Sequence, residues 1–92
     1  MREKAITEKI RNRLRKMGWY SIKLSAGPFQ VTGIPDLLAI RNGNYLWIEV
    51  KTPEGRLTER QQFFHQTLRD NGASVMVATD PESVQQHIEM YF

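Results

Sequence analysis

The stretch "GIPDLLAIRNGNYLWIEVKT", residues 33–52, decides the reading of this chain. Two apolar runs, residues 35–41 and 45–51, flank Asn42-Gly43. Asn-Gly between such runs is the strongest short-range signal for a β-hairpin with a two-residue turn. With Asn42-Gly43 as the turn, Arg41 faces Asn44, and Asp36 comes opposite Glu49. Directly opposed residues share a face of the sheet, with Cβ atoms about 4.5–5.5 Å apart. Lys51 lies two residues beyond Glu49 and projects from the same face. The other face carries Leu37, Ala39, Leu46, Ile48 and Val50, an unbroken apolar set.

The polar interruptions therefore gather at one end of the hairpin. Two opposed carboxylates repel, which destabilises the fold unless something neutralises them. A divalent cation does so directly, and Mg²⁺ is commonly held by one or two carboxylates plus waters and phosphate oxygens. A turn shifted by one residue would instead pair Asp36 with Lys51, and the plain alternative is a solvated hairpin end held by that ion pair. Glu-x-Lys alone carries little weight, since about 0.3 chance matches are expected in a chain of this size. The preceding Pro-Asp and the hairpin between the two motifs supply the specificity.

The rest of the chain frames this hairpin. Ile6, Ile10, Leu14 and Met17 recur at helical spacing and Gly18 follows as a stop, which predicts a first helix. "WYSIKLS", residues 19–25, alternates as a strand, and "AGPFQVTG", 26–33, reads as a loop. Thr58 and Gln61 form a capping box that starts a helix bearing Leu57, Phe64 and Leu68, closed by Gly72. "ASVMVAT" reads as a buried strand. Asp80-Pro81 supplies an N-cap and a first-turn proline for a final helix. The predicted order is α-β-β-β-α-β-α, an α/β fold around a mixed central sheet, with residues 1–92 forming one domain.

Composition narrows the class. The chain has 92 residues, 13 Lys or Arg, 10 Asp or Glu, and no cysteine. Disulfides and thiolate metal sites are thereby excluded. No run approaches the ~20 apolar residues of a membrane span, and "MREKAITEK" is too charged for a signal peptide. A cytoplasmic protein is the expectation. Residues 1–17 hold seven Lys or Arg against two Glu, whereas the remainder is net acidic. A basic helix of this kind attracts polyanions such as nucleic acid, or is simply a solvated face.

"GIPDLLAI" followed by "WIEVKT" resembles the PD-(D/E)xK nuclease signature. More closely, the chain resembles the virus-type replication-repair nuclease (VRR-NUC) domain, in its stand-alone viral form. That pattern runs from a Glu on the first helix through Gly-x-Pro-Asp and Glu-x-Lys. A Gln-x-x-aromatic-x-x-x-Leu helix ending in Gly completes it, matched here by Gln61, Phe64, Leu68 and Gly72. The resemblance implies a restriction-endonuclease-like core and Mg²⁺- or Mn²⁺-dependent hydrolysis of DNA phosphodiesters. Asp36, Glu49 and the Val50 carbonyl would be metal ligands. Lys51 would orient or deprotonate the water, or stabilise transition-state charge. Stand-alone members act on branched DNA such as four-way (Holliday) junctions, which implies a DNA partner and a homodimer, since one chain carries one site.

Glu3 rather than Glu8 fits the site on the first helix. At 100° per residue Glu3 falls about 60° from Ile6, within the apolar arc, and Glu8 about 160° away. Glu3 would bind metal directly or through water; an N-terminal acid favoured by the helix dipole is the plain alternative. Gln61 closes its capping box, and the resemblance adds a place near the lysine. Lys23 and Ser25, at the end of the first strand, and Arg56, after the lysine strand, are candidate phosphate contacts. His65 and His87 lack a companion at metal spacing and read as surface or packing residues. Trp19, Tyr20 and Trp47 read as core or dimer contacts. The terminal "MYF" would fold back on the core or meet a second subunit. A rival reading is a binding module that keeps the nuclease fold without cutting. A sequence-specific restriction-type enzyme is a third.

Overall fold

The computed structural model describes residues 2–24 and 31–92. Ser25 and the predicted loop residues 26–30 lie outside the described residues. Seven elements follow in the expected order: α1 (Glu3–Lys16), β1 (Tyr20–Lys23), β2 (Leu37–Arg41), β3 (Asn44–Val50), α2 (Glu59–Asp70), β4 (Val75–Ala78) and α3 (Pro81–Tyr91). The strands form one sheet in the order β1-β2-β3-β4. β1, β2 and β3 are successively antiparallel, and β4 runs parallel to β3 after the α2 crossover.

Local chemistry explains each boundary. Asn42 and Gly43 both take positive φ, 49° and 80°, as a tight twisted hairpin turn requires. Arg41 pairs with Asn44 and Leu37 with Ile48, the register expected from the turn. The Thr58 hydroxyl accepts from the Gln61 N–H and the Gln61 side chain accepts from the Thr58 N–H, closing both halves of the capping box. Asp80 caps α3 by accepting from the Ser83 N–H at 2.7 Å, and Pro81 occupies its first turn.

Strand alternation then divides the sheet into two faces. One face turns Leu37, Ala39, Leu46, Ile48, Val50, Met76 and Ala78 inward against Ile6, Ile10 and Leu14 of α1 and Val84 and Ile88 of α3. Each fully buried aliphatic side chain there contributes roughly 1.5–3 kcal/mol. Arg13 fastens α1 to α3 through Gln85 at 2.7 Å, and Arg11 fastens α1 to Ser21 of β1 at 3.1 Å. Trp19 is buried in the same core, and the terminal Phe92 meets its ring edge-on at 5.3 Å, so the end of the chain does fold back.

The opposite face is covered only in part. α2 lies over the β3–β4 side, where Glu49 and Val75 are buried. Towards β1 and β2 the face stays open, leaving Tyr20, Ile22 and Tyr45 exposed. The hairpin's polar end sits where the covered part of this face meets the ends of the strands.

Candidate functional site

Asp36 stands one residue before β2, and the register places it opposite Glu49. The turn-shifted alternative, with Asp36 against Lys51, does not occur. Trp47 donates its amide to the Ser74 carbonyl and Lys51 to the Ala78 carbonyl, so the odd-numbered residues of β3 bond to β4. Even-numbered residues bond to β2, which makes Asp36–Glu49 a pair without mutual backbone bonds, the kind whose side chains approach more closely.

The same alternation explains the proline. Val50 faces Pro35, which is fully buried and has no N–H. The ladder therefore offers the Val50 carbonyl no donor. The Val50 amide is satisfied differently, donating to Asp36 Oδ2 at 2.8 Å. Pro35 and Asp36 thus end the ladder, withhold an N–H from one carbonyl, and aim one carboxylate across the strand pair.

Glu49 is buried, with only 2 % of its surface exposed. Burial pushes its carboxyl up from an ordinary 4.5 to about 9, and Asp36 adds to the rise through a side-chain hydrogen bond and its charge. Lys51 opposes the shift and Glu3 reinforces it. With its pKa near 9, Glu49 carries a proton at neutral pH. Glu49 is no solvated hairpin end. Lys51 is half-buried, and its Cδ would lie 3.4 Å from a Cβ placed on Gly55, in the turn closed by the Gly55 amide and the Thr52 carbonyl.

His65 takes one of the two places expected of it, in packing rather than on the surface. It is fully buried on the inner side of α2, and its Nε2 lies 3.2 Å from Glu49 Oε1. Burial, with help from Arg69 and Lys51, lowers its pKa below the usual histidine value, whereas Asp36 pulls the other way. The ring is therefore neutral at physiological pH. A signal existed in the sequence: His65 stands among Gln61, Phe64 and Leu68, the stripe of α2 that turns from solvent. His87, by contrast, packs against Tyr91 at 4.7 Å.

The other candidates are placed less closely. Glu3 opens α1 and is exposed, while its backbone carbonyl accepts from Thr7 Oγ1 at 2.8 Å. Its charge bears on Glu49, but among the described residues no three His, Asp or Glu side chains come together as a ready metal cluster. Gln61 lies one turn before His65 on the same helix face, with its Oε1 engaged in the capping box at 2.9 Å. Lys23 and Arg56 are exposed. A separate cleft of about 480 Å³ between α1 and the start of α3 is lined by Lys9, Arg13 and Lys16, apart from the carboxylate pair.

Two carboxylates and the Val50 carbonyl, to which Pro35 offers no N–H, lie at one strand end and form an all-oxygen donor set, which suits a hard divalent cation. The proton on Glu49 is what such an ion would displace.

The fold has counterparts among known proteins. A solved structure described as a VRR_NUC domain superposes with a TM-score of 0.81 at 28% identity, covering 98% of this chain and 97% of that one. Hjc from Archaeoglobus fulgidus, a Holliday junction resolvase from an archaeal hyperthermophile, superposes with a TM-score of 0.61 at 24% identity. That likeness covers 82% of this chain and 65% of Hjc, and it concerns the fold. No curated protein matches the sequence. The profile of the VRR-NUC domain matches residues 2–80, and the chain belongs to the VRR-NUC family of nuclease domains.

Proposed function

We propose that this protein is a divalent-metal-dependent endodeoxyribonuclease acting on branched DNA. The observation that carries the proposal is the half-buried Asp36 facing the buried Glu49, beside a Val50 carbonyl to which Pro35 offers no N–H, with Lys51 on the same face. Asp36, Glu49 and the Val50 carbonyl would hold Mg²⁺ or Mn²⁺, with Glu3 reaching it directly or through water. Bound there, the ion supplies Lewis-acid charge to the phosphate and lowers the pKa of water. Lys51 places a cation at the edge of that donor set, where it meets the negative charge that develops on the phosphate or orients the attacking water. Gln61 would position Lys51. Lys23, Ser25 and Arg56 would hold the flanking phosphates.

A Holliday junction as substrate is supported by the fold shared with Hjc and by family membership. Paired cuts on such a junction need two sites, hence a homodimer. The open sheet face carrying Tyr20, Ile22 and Tyr45, with Phe63 of α2 exposed nearby in sequence to the site helix, offers apolar surface for it.

The test is incubation with labelled four-way junctions and linear duplexes in Mg²⁺, Mn²⁺ or EDTA. Cleavage of junctions that needs metal, and that falls at least about 100-fold in Lys51→Ala while junction binding persists, is the expected result. Junction binding without cleavage by the wild-type protein would establish the binding-module reading instead. Cutting at one sequence in linear duplex would establish the restriction-type reading.

A further inference from the structure

We propose that His65 is a positioning residue for the Glu49 carboxylate, donating its Nε2–H to Oε1 so that the other oxygen faces the metal. The inference rests on the metal-site reading above and extends it by one residue.

Geometry carries the argument. His65 is fully buried, and Glu49 Oε1 at 3.2 Å is the hydrogen-bond partner of its Nε2. Its Nδ1 is buried with no partner among the described residues. A neutral imidazole has one N–H and one lone pair. With the proton on Nε2, the bond to Glu49 is made and the bare nitrogen is the acceptor, whose loss is the milder one. With the proton on Nδ1, a buried N–H would be stranded, and two lone pairs would face each other across 3.2 Å once Glu49 is ionised. The Nε2–H form is therefore the one compatible with a metal-binding Glu49.

The surroundings fix the ring in this role. α2 is anchored at its start by the Thr58–Gln61 capping box, one turn before His65. It is anchored near its end by Arg69, which donates to the Val75 carbonyl at 3.3 Å. Asp36, Lys51 and Arg69 are the other charged groups that bear on the ring. A leucine of similar bulk would fill the same space without leaving a buried nitrogen unpartnered. Packing alone therefore gives no reason for histidine here. Orientation of a ligating carboxylate does, since groups that hydrogen-bond to metal ligands typically change metal affinity 10–100-fold when removed.

The test compares wild type, His65→Leu and His65→Gln, whose amide nitrogen reaches the Nε2 position. Mn²⁺ binding is measured by titration calorimetry, and folding by thermal melts in EDTA. The expected result is that His65→Leu melts no lower than wild type yet binds Mn²⁺ at least about tenfold more weakly. His65→Gln should recover most of the affinity. Equal Mn²⁺ affinity in wild type and His65→Leu overturns the proposal and leaves the nuclease reading standing. Absence of Mn²⁺ binding by the wild type overturns the metal-site reading itself. Should the leucine variant fail to fold, ¹⁵N spectra of the Mg²⁺-loaded wild type decide the matter. A proton on His65 Nε2 supports the proposal, and a proton on Nδ1 overturns it.

Discussion

Glu49→Gln tests the carboxylate pair without any substrate. The wild-type Glu49 carboxyl titrates near 9 in the folded metal-free protein and near its ordinary 4.5 in the unfolded chain. Between these values the folded protein holds one proton that the unfolded chain has released. Raising the pH therefore favours unfolding. The stability linked to this proton is fully present below pH 4.5 and is lost progressively as the pH rises to 9. One proton corresponds to about 1.4 kcal/mol per pH unit, so moving from roughly pH 7.0 to 8.5 removes about 2 kcal/mol. In a domain of this size that lowers the melting temperature by roughly 10 °C. His65, its pKa lowered by burial from the usual 6.5, stays neutral over that last interval. The glutamine variant has no proton to lose, so its stability should stay flat. Urea unfolding in EDTA, followed by the fluorescence of Trp19 and Trp47, measures both. Saturating Mg²⁺ should flatten the wild-type slope as well, because a bound cation holds Glu49 ionised in the folded state. An equal slope in the variant, or a wild type that gains stability with rising pH, would refute the proton on Glu49 and with it the electrostatic case for the site.

Three further perturbations follow from the geometry. Gly33→Ala should cost about 2–4 kcal/mol in urea unfolding, because φ is 91° there and the added Cβ would lie 2.8 Å from the Arg60 carbonyl in the first turn of α2. Phe92→Ala should cost about 1–2 kcal/mol and shift the Trp19 emission to longer wavelength, since the edge-on partner that shields that ring is removed. Glu3→Gln should leave the melting temperature in EDTA within about 2 °C of wild type, as expected of an exposed position. It should nevertheless weaken Mn²⁺ binding measurably in calorimetry, though less than Asp36→Asn does.

The sequence made the hairpin legible because its information is local. Asn42-Gly43 sets the turn, the turn sets the register, and the register brings Asp36 opposite Glu49. The capping box at Thr58 and the Asp80-Pro81 start of α3 are equally local and were equally readable. Strand ends were less so. The second strand begins at Leu37 rather than residue 35, because Pro35 cannot donate to the ladder and the Asp36 side chain takes over the Val50 amide. The surroundings of His65 were less legible still. Its contact with Glu49 depends on how a crossover helix docks across a sheet, a property of tertiary packing, and spacing within α2 shows only that His65 lies on the inward stripe. Helical phase sets Glu3 rather than Glu8 within the apolar arc of α1, yet phase fixes a direction and not a reach. Its side chain remains exposed beside the pair rather than joined to it.

Where the fold departs from local rules, the departures cluster. Pro35 interrupts a ladder in the interior, and it offers the Val50 carbonyl no N–H. Glu49 is buried against another acid. His65 leaves Nδ1 unpartnered beside them. Each of these destabilises the metal-free protein, and all four meet at one end of the β2–β3 hairpin. Elsewhere the turns, caps and core agree with one another; among the described residues the other buried side-chain nitrogen without a partner is Trp19 Nε1, in the core. Defects of mere packing would scatter, and each would be open to removal by a single substitution. A group of them sharing two carboxylates and a carbonyl is instead what a site looks like when its compensating charge comes from outside the chain. That is why the pH slope, rather than the cleavage assay, is the sharper test: it reads the strain itself, before any substrate is chosen.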